Sequence, residues 1–160
     1  MELYLLRHGI AEDNAASGRD ADRALTADGK RKLRDLLKFA ALATPKPDLI
    51  LASTYKRAIE SAAIAAKVFD YTEPVPQSTA LVPNAHVQEL WEEVRIHKSV
   101  PRLFLASHEP LLSSAAAFLL NSSSLQVDFK KGALMRIDIE GFSTQPHGVL
   151  KWYLTPRFIP

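Results

Sequence analysis

Leu3-Tyr4-Leu5-Leu6, followed at once by Arg7-His8-Gly9, is the stretch that decides the fold class. A compact apolar run of this kind reads as a strand buried on both faces, the type found inside parallel sheets. Moving outward, Thr26 reads as an N-cap. Ala27–Leu42 then sets Leu33, Leu36, Leu37, Ala40 and Ala41 on one helical face and Lys30, Arg31, Arg34, Asp35 and Lys38 largely elsewhere. Pro45 and Pro47 end that helix, and Leu49–Ala52 forms a second buried strand before an alanine-rich helix over Arg57–Phe69. A Pro-containing stretch, Glu73–Pro83, is expected to hold a short third strand near Ser78–Leu81. Val87, Leu90, Trp91 and Val94 mark the next helix, with Trp91 in the core. Leu103–Ala106 is the fourth strand and Pro110–Leu120 the helix after it. The rhythm then changes. Leu125–Phe129, Leu134–Ile139 and Leu150–Leu154 read as strands, with turns at Lys130-Lys131-Gly132 and Glu140-Gly141. Strand–helix alternation over most of the chain predicts a three-layer α/β/α sandwich with a mainly parallel sheet, at least one of the tail strands being antiparallel.

The composition limits what such a fold can do. The 160 residues suit one domain spanning 1–160, and no linker, repeat or low-complexity tract divides them. Apolar residues at 47% and charged residues at 24% are those of a globular protein. The absence of cysteine removes disulfides, thiolate metal sites and a cysteine nucleophile, and suits a reducing, cytoplasmic setting. A formal charge of +2 with no Lys/Arg-rich segment argues against nucleic acid as a partner. No apolar run is long enough for a membrane span, and the N-terminal run is too short for a signal peptide.

In sheets of this class, ligands bind beyond the carboxyl ends of the strands. The residues that follow the first, second and fourth strands are Arg7-His8-Gly9, Ser53-Thr54-Tyr55-Lys56-Arg57 and Ser107-His108-Glu109-Pro110. Two arginines and two histidines are thus delivered to one sheet edge. Two guanidiniums repel unless an anion lies between them, and their planar forks match phosphate oxygens. A neutral histidine beside them can attack phosphorus, and a second, protonated histidine can donate to the phosphoryl oxygens. Phosphoryl transfer through a histidine, with a phosphate or other oxyanion in the pocket and no metal or cofactor, is the chemistry expected. The remaining histidines offer no metal site: His86 and His97 lie about 16 Å apart along one helix, and His147 stands in a late loop. No phosphate-binding G-x-x-x-x-G-K-[ST] loop occurs.

Leu5-Leu6-Arg7-His8-Gly9, Arg23-Ala24-Leu25-Thr26 with Gly29, Ser53 with Arg57-Ala58, and Ser107-His108-Glu109-Pro110, in that order, resemble the histidine phosphatase superfamily with its phosphoglycerate mutase-like fold. The short length and the segment Phe129–Leu134 resemble its SixA-type phosphohistidine phosphatases in particular. The resemblance covers Glu2 to about Ile137. It implies that His8 is the nucleophile that becomes phosphorylated and that Arg7, Arg57 and His108 form its phosphate pocket. It also implies a partner protein carrying phosphohistidine, of the phosphorelay or phosphotransfer kind. Arg23 is expected at the rim, as a structural or substrate-binding residue. Lys130-Lys131 reads as a solvated turn more than as a substrate clamp. The sequence departs from the family pattern at Thr54 (often Pro), Glu60-Ser61 (Gln-Thr) and Ser107 (Gly).

Cleavage of a phosphate ester gains from a carboxylic acid that protonates the alkoxide. Many ester-cleaving relatives supply it after the third strand, where this chain reads Leu81-Val82-Pro83-Asn84-Ala85-His86. Glu12 and Asp13 fall in the loop after the first strand, and Glu89 or Glu109 would have to reach inward. An imidazole can leave already protonated, so the sequence favours N–P over O–P bonds. The alternatives are a phosphomonoesterase acting on a small ester, and a phosphoprotein-binding module without turnover.

Overall fold

The structure, a computed structural model, describes residues 1–159. Six strands form one sheet in the order β3-β2-β4-β1-β5-β6. They are β1 (Glu2–Arg7), β2 (Leu49–Ser53), β3 (Gln77–Ser78), β4 (Arg102–Ser107), β5 (Leu134–Gly141) and β6 (His147–Leu154). Four helices connect or flank them: α1 (Ala27–Ala41), α2 (Lys56–Val68), α3 (Val87–Ile96) and α4 (Leu111–Leu119). The β1–β4, β2–β4 and β2–β3 pairs are parallel, while β5 runs antiparallel to both β1 and β6. The mainly parallel three-layer expectation therefore holds.

Alternation along the central strands divides the core. Leu3, Leu5, Leu51, Leu103 and Leu105 face α3 and α4, packing with Leu90, Trp91, Val94, Leu112 and Leu119. Tyr4, Leu6, Ile50, Ala52, Phe104 and Ala106 face α1 and α2, packing with Leu33, Leu36, Leu37, Ala62 and Ala65. Because both faces are covered, β1, β2 and β4 are apolar along their length, which is why they read as runs and not as alternations. Thr26 caps α1 as expected, its Oγ1 accepting from the Gly29 amide at 2.9 Å.

Two expected strands are corrected. The third strand is only Gln77–Ser78, and Thr79–Leu81 forms a 3₁₀ turn. Ser78 Oγ accepts from the Ala80 amide at 3.2 Å and donates to Glu93 at 2.7 Å, bending the chain so that Leu81 points into the core. Leu125–Phe129 makes no strand at all. The edge of β1 away from β4 is taken by β5, so this segment does not pair with β1. Its backbone is spent locally: the Asp128 carbonyl accepts from the Tyr153 hydroxyl at 2.9 Å, and the Lys130 amide donates to that same hydroxyl at 2.8 Å. Phe129 is nevertheless buried, which accounts for the apolar pattern.

The strand order places the site. β4 lies between β1 and β2, with Arg7 opposite Ser107 and Ala52 opposite Ala106, so three strands end side by side. At and just beyond those ends the chain delivers Ser53, His8 and His108, and the His8 amide donates to the Ser107 carbonyl at 3.1 Å.

Candidate active site

His8 and His108 stand with ring centroids 5.0 Å apart, both buried. His8 Nδ1 lies 2.7 Å from the Gly9 carbonyl oxygen, which can only accept, so Nδ1 carries the proton. Nε2 is left with its lone pair, accepting from Arg57 Nε at 3.2 Å. Burial, then the charges of Arg57, Arg7 and Lys131, push the His8 pKa down from 6.5 to about 3. At neutral pH this is an uncharged imidazole with one nitrogen available to an electrophile.

Ser61 fixes that ring from behind. Its Oγ accepts from the Gly9 amide at 3.1 Å and donates to the Arg57 carbonyl at 2.7 Å, tying the turn after β1 to the first turn of α2. Gly132, at φ +74°, supports the other side, its amide donating to the His8 carbonyl at 2.9 Å. Gly29 allows the start of α1 to press against the same turn: a Cβ there would lie 2.1 Å from the Ile10 carbonyl oxygen.

His108 Nε2 is 2.8 Å from Ser53 Oγ, which also receives the Tyr55 amide at 3.3 Å. With that hydroxyl donating to Nε2, neutral His108 carries its proton on Nδ1. That Nδ1 is buried without a hydrogen-bond partner, as is Arg7 Nε. Burial, then His8 and Arg57, lower the His108 pKa from 6.5 to about 2. The expectation of a protonated second histidine is thus corrected for the free protein: His108 is neutral, and its donor is an ordinary ring N–H. Buried donors without acceptors are costly unless an acceptor can be bound. Both face the chemistry of an oxyanion.

Arg7 and Arg57 are held differently. Arg7 Nη1 donates to the Phe129 carbonyl, and burial lowers the guanidinium's pKa. Arg57 Nη1 and Nη2 bond the Asp20 carbonyl and carboxylate at 2.8 and 3.0 Å, and its guanidinium lies 4.9 Å from the Tyr55 ring centroid. Only its Nε is turned to His8. Arg23 does not enter the cluster. Its Nε bonds the Glu12 carbonyl at 2.6 Å and its Nη1 bonds Asp20 at 2.7 Å, so it reaches the cluster through Asp20. Asp20 thereby bridges both arginines, and Arg23, then Arg57, hold its pKa below the usual carboxylate range.

Three other carboxylates are engaged elsewhere. Glu89 Oε2 accepts from the His86 amide at 2.7 Å at the start of α3, and Glu109 Oε1 accepts from the Ser113 amide at 2.8 Å in α4. Glu60 receives the Leu25 amide and Lys30. Sequence reasoning missed Asp20 and the work of Ser61. The one available signal for Asp20 was its i,i+3 spacing to Arg23. Nothing in the chain links Asp20 to Arg57, 37 residues away.

A buried, uncharged histidine in a cluster of cationic and N–H donors, at the carboxyl edge of a mainly parallel sheet, is an arrangement suited to a phosphoryl group. The family model of the histidine phosphatase superfamily (branch 1) matches residues 3–82, half of the chain, and the protein belongs to that superfamily. An uncharacterized protein from Picosynechococcus is 28% identical over 151 residues, covering 92% of this chain and 90% of its own. Among solved structures, the protein histidine phosphatase SixA complexed with tungstate matches with a TM-score of 0.87 at 21% identity, over 98% of both chains. The alpha-ribazole phosphatase from Shigella flexneri matches with a TM-score of 0.75 at 20% identity, over 98% of this chain and 97% of that one. At these identities the likeness to both structures is one of fold. No helix among the described residues is long and apolar enough to cross a membrane.

Proposed function

We propose that this chain is a phosphatase that hydrolyses phosphohistidine on a partner protein of the phosphorelay or phosphotransfer-carrier kind, through a phospho-His8 intermediate. His8 Nε2 attacks phosphorus as the bond from phosphorus to the substrate imidazole breaks. That imidazole leaves neutral when its unphosphorylated nitrogen carries a proton, the phosphorylated nitrogen keeping the electron pair of the broken bond. Arg7, Arg57 and His108 Nδ1–H donate to the phosphoryl oxygens, where charge accumulates. Water then attacks phospho-His8, releasing inorganic phosphate and restoring the neutral ring.

The observation that carries the reading is His8 itself: an uncharged ring whose Nε2 faces Arg57 Nε, beside the unpartnered donors of Arg7 and His108. The preference for an N–P bond rests on the carboxylates. Glu89 and Glu109 are occupied at helix starts. Asp20, the carboxylate bonded to the cluster, is held ionised by Arg23 and Arg57. We take none of these three as the acid that an alkoxide would need, whereas a protonated imidazole does not require one.

The likeness of fold to an alpha-ribazole phosphatase supports a second reading, a phosphomonoesterase on a small ester. One experiment separates them. A peptide phosphorylated on histidine and a panel of phosphate esters are assayed side by side, and the protein is trapped during turnover with ³²P. Acid-labile label on wild type, absent from His8→Ala, is expected, with the peptide turned over faster. A fully active His8→Ala variant sinks the mechanism, and faster ester cleavage sinks the substrate assignment.

A further inference from the structure

A cleft of about 740 Å³ opens directly beside the nucleophile. Arg7 and Gly9, the neighbours of His8 in the chain, both line it, as does Gly132, whose amide holds the His8 carbonyl. It lies away from His108 and Arg57, so it is distinct from the phosphoryl pocket but continuous with it through Arg7. Its apolar lining comes from Ile10 and the buried Leu33, with the exposed Phe158 at its margin. Its charge is one-sided: Arg7, Lys32, Lys130, Lys131 and Arg157 line it against one acid, Asp128. Lys32 is paired outward to Asp28 at 2.7 Å, and Lys130 pairs with Asp128. Lys131 and Arg157 make no ion pair among the described residues.

Volume in this range accommodates a few side chains. Surplus positive charge over an apolar lining calls for an occupant that is both acidic and partly apolar. A protein that presents a phosphohistidine to His8 must also lay its surface across this cleft, because the cleft begins one residue from the nucleophile. We propose that the cleft docks an acidic, apolar-containing segment of the phosphohistidine-bearing partner, adjacent to the phosphorylated residue. The inference rests on the phosphohistidine reading and adds to it the chemistry of the flanking sequence. Complementary charge at such a rim acts mainly on encounter, so it selects partners and makes turnover salt-dependent. The two-lysine turn Lys130-Lys131 is then more than a solvated loop.

The test uses two synthetic phosphohistidine peptides, identical except that one is flanked by Asp, Glu and Leu and the other by Lys and Gln. Phosphoramidate serves as a substrate too small to reach the cleft. Wild type is compared with the double charge reversal Lys32→Glu/Arg157→Glu, both positions lying at the rim. Wild type is expected to prefer the acidic peptide by about tenfold or more in kcat/KM, with the preference shrinking as salt rises. The double variant should lose that preference, so the ratio of acidic-peptide to phosphoramidate turnover falls by about the same factor. Equal turnover of the two peptides by wild type, or an unchanged preference in the variant, overturns the docking site. Cleavage of phosphate esters with neither peptide touched overturns the phosphohistidine reading itself, and the docking proposal with it. A melting temperature retained by the double variant separates loss of docking from loss of fold.

Discussion

Lowering the pH from about 7.5 to about 5 should unfold this protein by an amount that two residues set. His8 and His108 titrate at about 3 and about 2 in the folded chain, against 6.5 when exposed. Depressed folded values mean that the unfolded chain binds protons first as pH falls. The stability from keeping both rings neutral is fully present above about pH 6.5 and is lost progressively below it. At about 1.36 kcal/mol per unit, each histidine costs about 2 kcal/mol by pH 5, and the pair about 4 kcal/mol. For a chain of this length that is a fall in Tm of about 8–16 °C. The aspartates with depressed values, Asp20, Asp28 and Asp48, act only below the ordinary aspartate range, so they leave this window to the histidines. Urea unfolding at the two pH values reads the difference. His8→Gln and His108→Gln should each remove about half of it, and the double variant nearly all. Saturating phosphate should also shrink the loss, because an anion in the pocket favours protonated rings and binds only the folded state. A wild-type loss under about 1 kcal/mol, or an undiminished loss in the double variant, would refute the neutral-histidine description of the site.

Three further outcomes follow from the same geometry. Ser61→Ala deprives the Gly9 amide of its acceptor and should cost about 1–3 kcal/mol. It should lower kcat more than it changes KM, and Ser61→Thr should restore both, as read by steady-state kinetics and thermal melts. Asp20→Asn removes one charged partner of Arg57, but Asp20 is 55% exposed at its side chain, so the stability loss should stay at about 1 kcal/mol or less in a urea titration. Gly29→Ala forces a Cβ onto the Ile10 carbonyl. It should destabilise by about 3 kcal/mol or more, seen as a Tm fall of at least about 6 °C.

The layers were legible because β1, β2 and β4 are buried on both faces and appear in sequence as uninterrupted apolar runs. The amphipathic helices between them carry the period that assigns them. His8, Arg7, Arg57 and His108 were legible for a related reason: in a parallel sheet the carboxyl ends converge, so the residue after each strand is known before any distance is. What stayed hidden depends on contacts that no period encodes. Leu125–Phe129 alternates like a strand, yet its Asp128 carbonyl goes to the Tyr153 hydroxyl and the segment joins no ladder. Asp20 opens a short 3₁₀ turn, and its bond to Arg57, 37 residues away, leaves no local trace. The protonation of His108 was misjudged because sequence shows the neighbouring cations but not the burial, and burial is the larger cause.

That correction alters how the cluster works. Had His108 been charged, the free site would hold three cations around a neutral nucleophile, and folding would have to bear their repulsion. With both rings neutral, the charge rests on Arg7 and Arg57, and each is partly satisfied from outside: Arg7 by the Phe129 carbonyl, Arg57 by Asp20. Those outer bonds occupy Nη atoms. They leave Arg57 Nε aimed at His8 Nε2, and Arg7 Nε and His108 Nδ1 without acceptors. Under the proposed mechanism, Arg7 Nε and His108 Nδ1 are donors free to meet phosphoryl oxygens, while Arg57 Nε passes from His8 Nε2 to an oxygen as that lone pair turns to phosphorus. Asp20 is the counterpart of that arrangement. It steadies Arg57 from the solvent side while staying ionised, and an ionised carboxylate can orient a guanidinium but cannot protonate a leaving group. Under the phosphohistidine reading proposed above, the residue that steadies Arg57 is thus one that cannot serve as the acid for a leaving group.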